Sequence, residues 1–318
     1  MIGNLPNNLL FPPTSAATPH IKMSIPKSSS HDLNYPSSSR APPHFWDDSW
    51  GSPHEFVTPV FTVKDIDATL EIRNVTREEM VASDARRKKM FQEVYDLGKW
   101  VHNKEGVPKS GSGSTLQMTE RVRKGIKEAV LKYKIKTFID APCGDLFWMK
   151  ELFPFFDEHG IEYIGVDIVP SEIERHKLEH PTRKFIQSDM AIETLPKADM
   201  IFSREALQHM NAEDNLRTLN KWKESGTMYV LLTNYYVTME YYNNPRITGK
   251  QALKIQELGS MNYFKNNDGT ANLIELEKHP YNFPEPLEKW VDKGHRLQYK
   301  QFVGLWILQA DNLQQFEI

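Results

Sequence analysis

Three aspartates stand where predicted strands end, and their placement indicates a ligand site. Asp140 ends the apolar run TFID, Asp167 ends YIGVD, and Asp189 follows KFIQS. Ligands of an open parallel sheet bind outside the carboxyl ends of its strands, where these side chains would meet. A carboxylate at Asp167 can accept hydrogen bonds from both hydroxyls of a ribose, and one at Asp189 can accept from an adenine amino group.

The loop after the first strand, Ala141-Pro142-Cys143-Gly144-Asp145, adds a second indication. Gly144 has no Cβ, so the backbone there can come close to a ligand, and Asp145 can reach a ligand ammonium group directly or through water. Pro142 lacks the backbone N–H that a pyrophosphate cradle needs, which disfavours a dinucleotide dehydrogenase. Together with the aspartates, the loop suits a ligand with a ribose, an adenine and a cationic amino-acid end.

Polar residues also follow the fourth predicted strand. Ser203-Arg204-Glu205 end this strand, and His209 lies a short distance further along the chain. His209 is either a general base or a structural histidine that faces the sheet. Arg204 either binds an anionic substrate or a cofactor carboxylate, or it belongs to a solvated ion pair.

Further segments flank these strand ends. Asn234, Tyr235 and Tyr236 follow the fifth strand, where their amide and phenol groups can shape an acceptor pocket. Ser110–Thr115 is rich in Gly and Ser, and it either wraps a carboxylate with its backbone N–H groups or serves as a flexible linker. The charge run Arg86–Lys89 is expected to be a solvated helix face.

In order and spacing, these motifs resemble those of class I S-adenosylmethionine-dependent methyltransferases, over roughly residues 109 to 310. Asp140–Asp145 is similar to the first motif of that family, D-x-G-x-G-x-G, and together with Trp148-Met149 to the D-x-P-C-G-D-x-x-W-M form of one subgroup. Pro142 and Leu146 replace two of the usual three glycines. The resemblance extends to three other segments, namely Ser110–Thr115, Arg204-Glu205 with His209, and Asn282–Pro286.

The resemblance implies S-adenosylmethionine as the cofactor, and we expect no metal in the site. The expected cofactor-binding residues are Asp140, Gly144, Asp145, Asp167, Ile168, Asp189, Met190 and Ser203. The expected catalytic residues are His209 and Arg204, and the expected substrate-side residues are Glu205, Asn234, Tyr235 and Tyr236.

The elements that must position these residues alternate along the chain. Strands and helices follow one another from Lys136 to Tyr236, which predicts a Rossmann-like, doubly wound and mostly parallel α/β sheet. HRLQYKQ and FVGLWIL predict two late strands that form an antiparallel edge hairpin and bring the sheet to seven strands. Helices are expected over REEMVASDARRKKMFQEVYDLGKWVHN, capped by Thr76 or Ser83, over TLQMTERVRKGIKEAVLKYK and over LFWMKELFPFF.

Composition divides the chain into a tail, an extension and a domain. Ten of the 20 prolines fall within the first 59 residues, and residues 1–58 are expected to be a disordered Pro/Ser-rich tail, in which the aromatic patch 44–50 can dock on a protein. Residues 59–108 are expected to be an N-terminal extension with a helix, and 109–318 the methyltransferase domain. Its segment 237–288, aromatic and rich in amides, fits either a substrate-side insert for a carbohydrate or a plain cap over the cofactor.

Composition also excludes several classes of protein. The 39 Lys and Arg residues against 42 Asp and Glu give no footprint for a nucleic acid. The single cysteine, Cys143, excludes an intramolecular disulfide and a Cys-rich zinc site, and we expect it to pack in its loop. No apolar run is long enough for a membrane helix and no basic n-region marks a signal peptide, so a cytoplasmic protein is expected.

The sequence therefore predicts methyl transfer from S-adenosylmethionine to a small-molecule or glycan acceptor, at an oxygen atom. Two alternatives stay open at this point. One is a catalytically silent binding or scaffold protein on the same fold, which the replaced glycines and the aromatic tail motivate. The other is a protein methyltransferase.

Overall fold

A computed structural model of the chain describes residues 76–101, 107–237, 273–292, 299–309 and 313. All of them belong to one unit, Thr58–Ile318. The predicted tail with its aromatic patch, the first part of the predicted extension and much of the predicted insert lie outside the described residues. Among the residues described, no helix is long and apolar enough to cross a membrane.

Seven strands form one sheet, and its architecture confirms the predicted fold class. The strands are β1 (Thr137–Asp140), β2 (Glu162–Asp167), β3 (Lys184–Gln187), β4 (Met200–Ser203), β5 (Tyr229–Val237), β6 (Glu288–Val291) and β7 (Tyr299–Ile307). Their order across the sheet is β3-β2-β1-β4-β5-β7-β6. The pairs from β3 to β5 are parallel, whereas β7 runs antiparallel to both β5 and β6.

The direction of winding reverses between β1 and β4. The chain passes outward from β1 through β2 to β3, and then returns to β4 on the other side of β1. Asp140, the last residue of β1, is in register with Gly165 of β2 and with Phe202 of β4. A sheet of this type opens a crevice at the carboxyl ends of the strands where the winding reverses, so Asp140 marks the expected ligand site.

The antiparallel edge differs in position from the prediction. HRLQYKQ and FVGLWIL were expected to form a hairpin with each other, but Tyr299–Ile307 form a single strand, β7, whose edge partner β6 lies earlier in the chain. Sequence patterning missed β6 because this edge strand is only partly buried and its residues EKWV carry no apolar run. Trp290 of β6 packs over α2, where a Cβ added to Gly125 would lie 2.6 Å from the indole Cγ.

Five α-helices accompany the sheet in the described residues: α1 (Arg77–Asp96), α2 (Leu116–Lys132), α3 (Phe153–Glu158), α4 (Pro170–Glu179) and α5 (Ala212–Glu224). Thr76 caps α1 in a reciprocal capping box with Glu79. Thr115 and Asn211 cap α2 and α5 by accepting a hydrogen bond from the third backbone N–H of each helix. Three local side-chain contacts thus fix where these helices begin.

The predicted helix over LFWMKELFPFF is shorter than expected. Met149–Leu152 form a 3-10 turn, and only Phe153–Glu158 are α-helical. The cause is Pro154, because a proline fits only the first turn of an α-helix and so prevents α3 from extending backward.

Hydrophobic residues fill both faces of the sheet. Neighbouring residues of β1 contribute to two different clusters, Phe138 to one and Ile139 to the other, because successive side chains of a strand point to opposite faces. The cluster with Phe138 includes Val122 of α2, and the cluster with Ile139 includes Trp222 of α5. Helices on both faces bury the strands and leave only the strand ends to form a site.

Candidate functional site

A cavity of about 370 Å³ lies at the carboxyl ends of β1, β2, β3 and β4. The loop Ser110–Ser114 and residues of α1 complete its wall. The structure brings nine of the sequence-predicted site residues to this wall: Asp140, Gly144, Asp167, Ile168, Asp189, Met190, Arg204, Glu205 and His209. These residues come from four strand ends and span about 70 positions of the chain, yet they share one cavity.

Two backbone N–H groups hold the carboxylate of Asp167 at the cavity. Its Oδ2 accepts a hydrogen bond from the backbone N–H of Gly144 at 2.9 Å, and its Oδ1 accepts one from Val169 at 2.9 Å. Burial raises the pKa of Asp167 to about 6, even though these backbone hydrogen bonds favour its charged form. Asp167 thus couples the end of β2 to the loop after β1, with a fixed carboxylate at the wall.

The loop after β1 keeps a left-handed turn although two glycines of the usual motif are absent. Gly144 has a φ of +58°, and Leu146, at one of the replaced positions, also has a φ of +58°. A Cβ on Gly144 would lie 2.8 Å from the Ser110 Oγ and 3.1 Å from the Tyr95 Oη. Packing therefore imposes on Leu146 a conformation that glycine adopts without cost, and it leaves no room at Gly144 for a side chain.

Helix α4 holds this loop from the outside. The His176 Nε2 lies 2.7 Å from the Gly144 carbonyl oxygen, and the Arg175 Nη2 donates to the Asp145 carbonyl oxygen at 3.2 Å. His176 is fully buried, and burial lowers its pKa, so its neutral imidazole is the donor to Gly144. Neither residue was predicted from the sequence, where both belong to an ordinary amphipathic helix.

Asp145 serves the neighbouring loop in this structure. Its carboxylate accepts from the backbone N–H groups of Ser110 at 3.0 Å and Phe147 at 3.1 Å, while its own N–H donates to the Ser110 Oγ at 3.1 Å. Asp145 is not among the described residues that line the cavity. The contacts favour a role in joining the loop after β1 to Ser110–Ser114.

Asp140 is buried at the end of β1. The Tyr163 hydroxyl donates to its Oδ2 at 2.8 Å. Burial raises the pKa of Asp140 well above its usual range, and the hydrogen bond from Tyr163 only partly opposes this. A cationic ligand group in the cavity would favour the charged form of Asp140.

Asp189 is bound by an arginine that the sequence interpretation placed in solvent. Arg87 of α1 is 3% exposed, and its Nε and Nη2 donate to Asp189 Oδ2 at 2.9 and 2.6 Å. The Arg87 Nη1 also donates, at 2.7 Å, to Asp214, which lies in the first turn of α5. The expectation of a solvated Arg86–Lys89 face is wrong for Arg87, because α1 turns this one side chain of the run toward two buried carboxylates.

Arg204 is likewise committed to a buried partner. Its Nε and Nη2 donate to the two carboxylate oxygens of Asp292 at 2.9 and 2.7 Å, and its Nη1 donates to the Gly113 carbonyl oxygen at 3.2 Å. Burial opposes the charge of Arg204, but Asp292 and Glu205 outweigh it and raise the arginine pKa. Of the interpretations left open, the structure supports an ion pair, although a buried rather than a solvated one.

Glu205 is held at the wall by three neutral side chains. The Gln208 Nε2 donates to its Oε2 at 2.7 Å, the Tyr235 hydroxyl donates to its Oε1 at 3.3 Å, and the Gln301 Nε2 also donates to its Oε1. The backbone of Glu205 has a φ of +56°, a value that residues with a side chain rarely adopt. The Thr233 hydroxyl accepts from its N–H at 2.9 Å and helps to fix this conformation.

His209, in the turn after β4, lines the cavity beside an aromatic wall formed by Phe91, Tyr95 and Trp100. Its ring stacks on Trp100 with a centroid distance of 5.0 Å, and Trp100 meets Phe91 and Tyr95 edge-on. Trp148 also lines the cavity and contacts Phe202.

The remaining predicted residues lie beyond this wall. Ser203 and Tyr235 line a small separate cavity with Thr233 and Ile274. Asn234 is fully buried and binds the last part of the predicted insert 237–288, since its Oδ1 accepts from the Leu276 N–H at 2.8 Å. Tyr236 donates to Glu277 at 3.4 Å and accepts from Lys289. Among the described contacts, Tyr235 alone of the β5 group touches residues of the main cavity, namely Gln208 and Glu205.

The charges of the cavity favour a cationic ligand. Its described lining contains four carboxylates, on Asp140, Asp167, Asp189 and Glu205, against the guanidinium groups of Arg87 and Arg204. Each guanidinium also pairs with a further carboxylate behind the wall, Asp214 or Asp292. A cation in the cavity would therefore enter a region in which negative charge is in excess.

Comparisons with known proteins show a likeness of fold only. No family model and no curated protein matches this chain. Magnesium protoporphyrin IX methyltransferase from Synechocystis PCC 6803, solved with bound SAH, is 10% identical with a TM-score of 0.44, and the match covers 72% of this chain and 99% of that one. Human N-acetylserotonin methyltransferase, in complex with SAM, is 14% identical with a TM-score of 0.37 over 71% of this chain and 68% of that one. The S-adenosylmethionine-dependent methyltransferase SibL in its apo form is 14% identical with a TM-score of 0.37 over 58% and 55% of the two chains.

Proposed function

We propose that this protein transfers a methyl group from S-adenosylmethionine to an oxygen atom of a small-molecule or glycan acceptor. The observation that carries the proposal is the Asp167 carboxylate, which two backbone N–H groups fix at the wall of an acidic cavity of about 370 Å³. A carboxylate at the end of the second strand of such a sheet is placed to accept the two hydroxyls of a ribose.

The cavity residues fit the rest of this cofactor. Ile168, directly after Asp167, and Met190, directly after Asp189, provide apolar contact for an adenine, and Asp189 provides an acceptor for its amino group. Asp140 and the loop Ser110–Ser114 lie at the end of β1, where the amino-acid part would be bound. The cofactor has no phosphate, so the N–H group lost at Pro142 removes no contact that it needs.

Charge adds a second line of support. S-adenosylmethionine supplies a methyl group that is already activated by its positively charged sulfonium. The excess of carboxylates at the wall attracts this charge, and it attracts the ammonium group of the same molecule.

The work of the protein is then to align the donor and the acceptor and to keep water out. Alignment alone can lower the barrier of such a transfer substantially, because the protein holds both partners in line before the reaction. Asp167 anchors the ribose, the clamped loop after β1 fixes the amino-acid end, and the aromatic wall of Phe91, Tyr95 and Trp100 covers the cavity. Acceptors with a planar or apolar face suit this wall, and a sugar face can stack on Trp100 in the same manner.

Titration calorimetry of the purified full chain with S-adenosylmethionine and with S-adenosylhomocysteine tests the proposal. Binding of both is expected, and Asp167→Ala should lose most of the affinity. Glu162→Ala is the matched control, because Glu162 is an exposed carboxylate at the opposite end of the same strand. Absence of binding by the wild-type protein would refute the cofactor, and unchanged binding by Asp167→Ala would refute the ribose contact.

A further inference from the structure

Glu205 combines three features that no structural requirement of the sheet explains. It stands directly after β4, it has a left-handed backbone with a φ of +56°, and its side chain lines the main cavity. A left-handed backbone costs about 1–2 kcal/mol for a residue with a Cβ, and such strain tends to occur at functional positions.

A network from four elements holds this carboxylate in place. Gln208, Tyr235 and Gln301 donate to it. Gln301 also donates to Asp292 at 2.8 Å, and Asp292 accepts the fork of Arg204. The turn after β4 and the strands β5, β6 and β7 are therefore joined around one carboxylate.

The donors described around Glu205 are amide and phenol groups. Hydrogen bonds from amide and phenol groups stabilise a carboxylate without supplying a compensating positive charge. Arg204 lies nearby, but its Nε and Nη2 are directed to Asp292. The carboxylate of Glu205 is therefore held in place at the carboxyl end of β4, next to the end of β1 where the methyl donor would be bound.

The other acidic residues of the wall have different tasks. Asp167 binds two backbone N–H groups, Asp140 binds Tyr163, and Asp189 binds Arg87. His209, the base expected from the sequence, stacks its ring on Trp100 at the aromatic wall. Glu205 is the wall carboxylate that belongs to the turn after β4, beyond the residues assigned to the cofactor.

We propose that Glu205 is the catalytic base for an acceptor hydroxyl group, an inference that rests on the proposed methyl transfer. The hydroxyl oxygen attacks the methyl carbon with its lone pair, and the carbon–sulfur bond breaks with its electron pair left on sulfur. The hydroxyl proton passes to a carboxylate oxygen of Glu205. A carboxylate suffices for this step, because the proton becomes strongly acidic as the new oxygen–carbon bond forms.

A pair of cofactor analogues tests this position without knowledge of the acceptor. Sinefungin carries an ammonium group on carbon in place of the methylated sulfonium, so this group probes the point at which the methyl is transferred. S-adenosylhomocysteine has a neutral sulfur there. The ratio of the two affinities, measured by calorimetry on the full chain, reports a carboxylate at that point and cancels general losses of binding.

Glu205→Gln is expected to lower the preference for sinefungin by about tenfold or more, because a charge-assisted hydrogen bond is lost, while the affinity for S-adenosylhomocysteine changes little. Glu205→Asp, which withdraws the carboxylate by one methylene, should lower the same ratio and serves if Glu205→Gln does not fold. Glu158→Gln, on an exposed residue at the end of α3, is the control and should leave the ratio unchanged.

Two results would overturn the inference. One is an unchanged ratio in a folded Glu205 variant that still binds S-adenosylhomocysteine. The other is a drop in His209→Gln in place of the Glu205 variants, which would assign the position to the histidine. Failure of the wild-type protein to bind S-adenosylhomocysteine would instead refute the proposed function itself.

Discussion

The guanidinium of Arg204 donates two hydrogen bonds to the carboxylate of Asp292, at 2.9 Å from Nε to Oδ2 and at 2.7 Å from Nη2 to Oδ1. Both side chains are almost fully buried. The pair joins the end of β4 to the end of β6, and Arg204 also holds the Gly113 carbonyl oxygen. One ion pair thus connects the sheet edge to the loop that borders the cavity.

Asp292→Ala is expected to destabilise the protein by about 3–5 kcal/mol, because it leaves the buried charge of Arg204 without its carboxylate. Urea unfolding of the purified variant measures this loss. Glu174→Ala removes one partner of an exposed pair with Lys177 and should change stability by less than about 0.5 kcal/mol. Similar losses of stability in the two variants would show that the Arg204–Asp292 pair contributes no more than an exposed ion pair.

Arg87→Met is expected to cost a similar amount, about 3–5 kcal/mol, since Asp189 and Asp214 would both remain buried without their common partner. The variant should also bind S-adenosylhomocysteine more weakly, because Asp189 loses its orientation. Arg86→Met is the control on the preceding residue, which is exposed, and should shift the unfolding midpoint little. Equal effects of the two substitutions would contradict the burial of Arg87.

Arg87 and Asp292 show why sequence patterning found only part of the site. Asp140, Gly144 and Asp167 could be predicted because each follows a strand whose apolar run is visible, and local motifs carry their spacing. Arg87 lies in a charged stretch of a helix about 100 residues before its partner Asp189, so nothing local distinguishes it from the exposed Arg86. Asp292 follows an edge strand without an apolar signal.

The fold was predicted more completely than the site for the same reason. Buried parallel strands and capped helices are properties of short segments, whereas a cavity wall is set by how distant segments pack. His176 illustrates this, because an ordinary helical histidine becomes a clamp only when α4 packs against the loop at Gly144. The strand β6 was missed for a different reason, since it is short and only partly buried, and its residues EKWV form no apolar run.

Gly144→Ala is expected to impair both stability and binding. The added Cβ meets a φ of +58° and contacts of 2.8 Å to Ser110 and 3.1 Å to Tyr95. Gly160→Ala is a matched control, because Gly160 has a φ of +62° but nothing within 4 Å of the added atom. Gly160→Ala should cost about 1–2 kcal/mol from backbone strain alone.

The excess cost of Gly144→Ala over this control, measured by thermal or urea unfolding, then reports the clash with the Ser110 loop. The affinity for S-adenosylhomocysteine should fall in Gly144→Ala and stay unchanged in Gly160→Ala. If Gly144→Ala and Gly160→Ala lost equal stability and both kept their binding, the loop after β1 would be shown to accommodate the added Cβ.

Asp167 should make ligand binding depend on pH. Its pKa of about 6 in the folded protein lies above the usual value of 3.8, because burial disfavours the charged form. A ribose donates to the charged carboxylate, so the affinity for S-adenosylhomocysteine should fall by about tenfold for each unit as pH drops below 6. Calorimetry in two buffers of different ionisation enthalpy should also detect proton release on binding near this pH.

The same pKa shift has the opposite sign for stability. A carboxyl group whose pKa is raised on folding stabilises the protein fully below its unfolded pKa, and that contribution is lost as pH rises through about 6. The shift corresponds to about 3 kcal/mol. Asp167→Asn keeps the shape but cannot titrate, so its unfolding free energy should depend less on pH between about 4 and 6. Asp140 also has a raised pKa and remains in the variant, so the difference between the two proteins isolates Asp167. Identical pH profiles of stability would show that Asp167 does not titrate in this range.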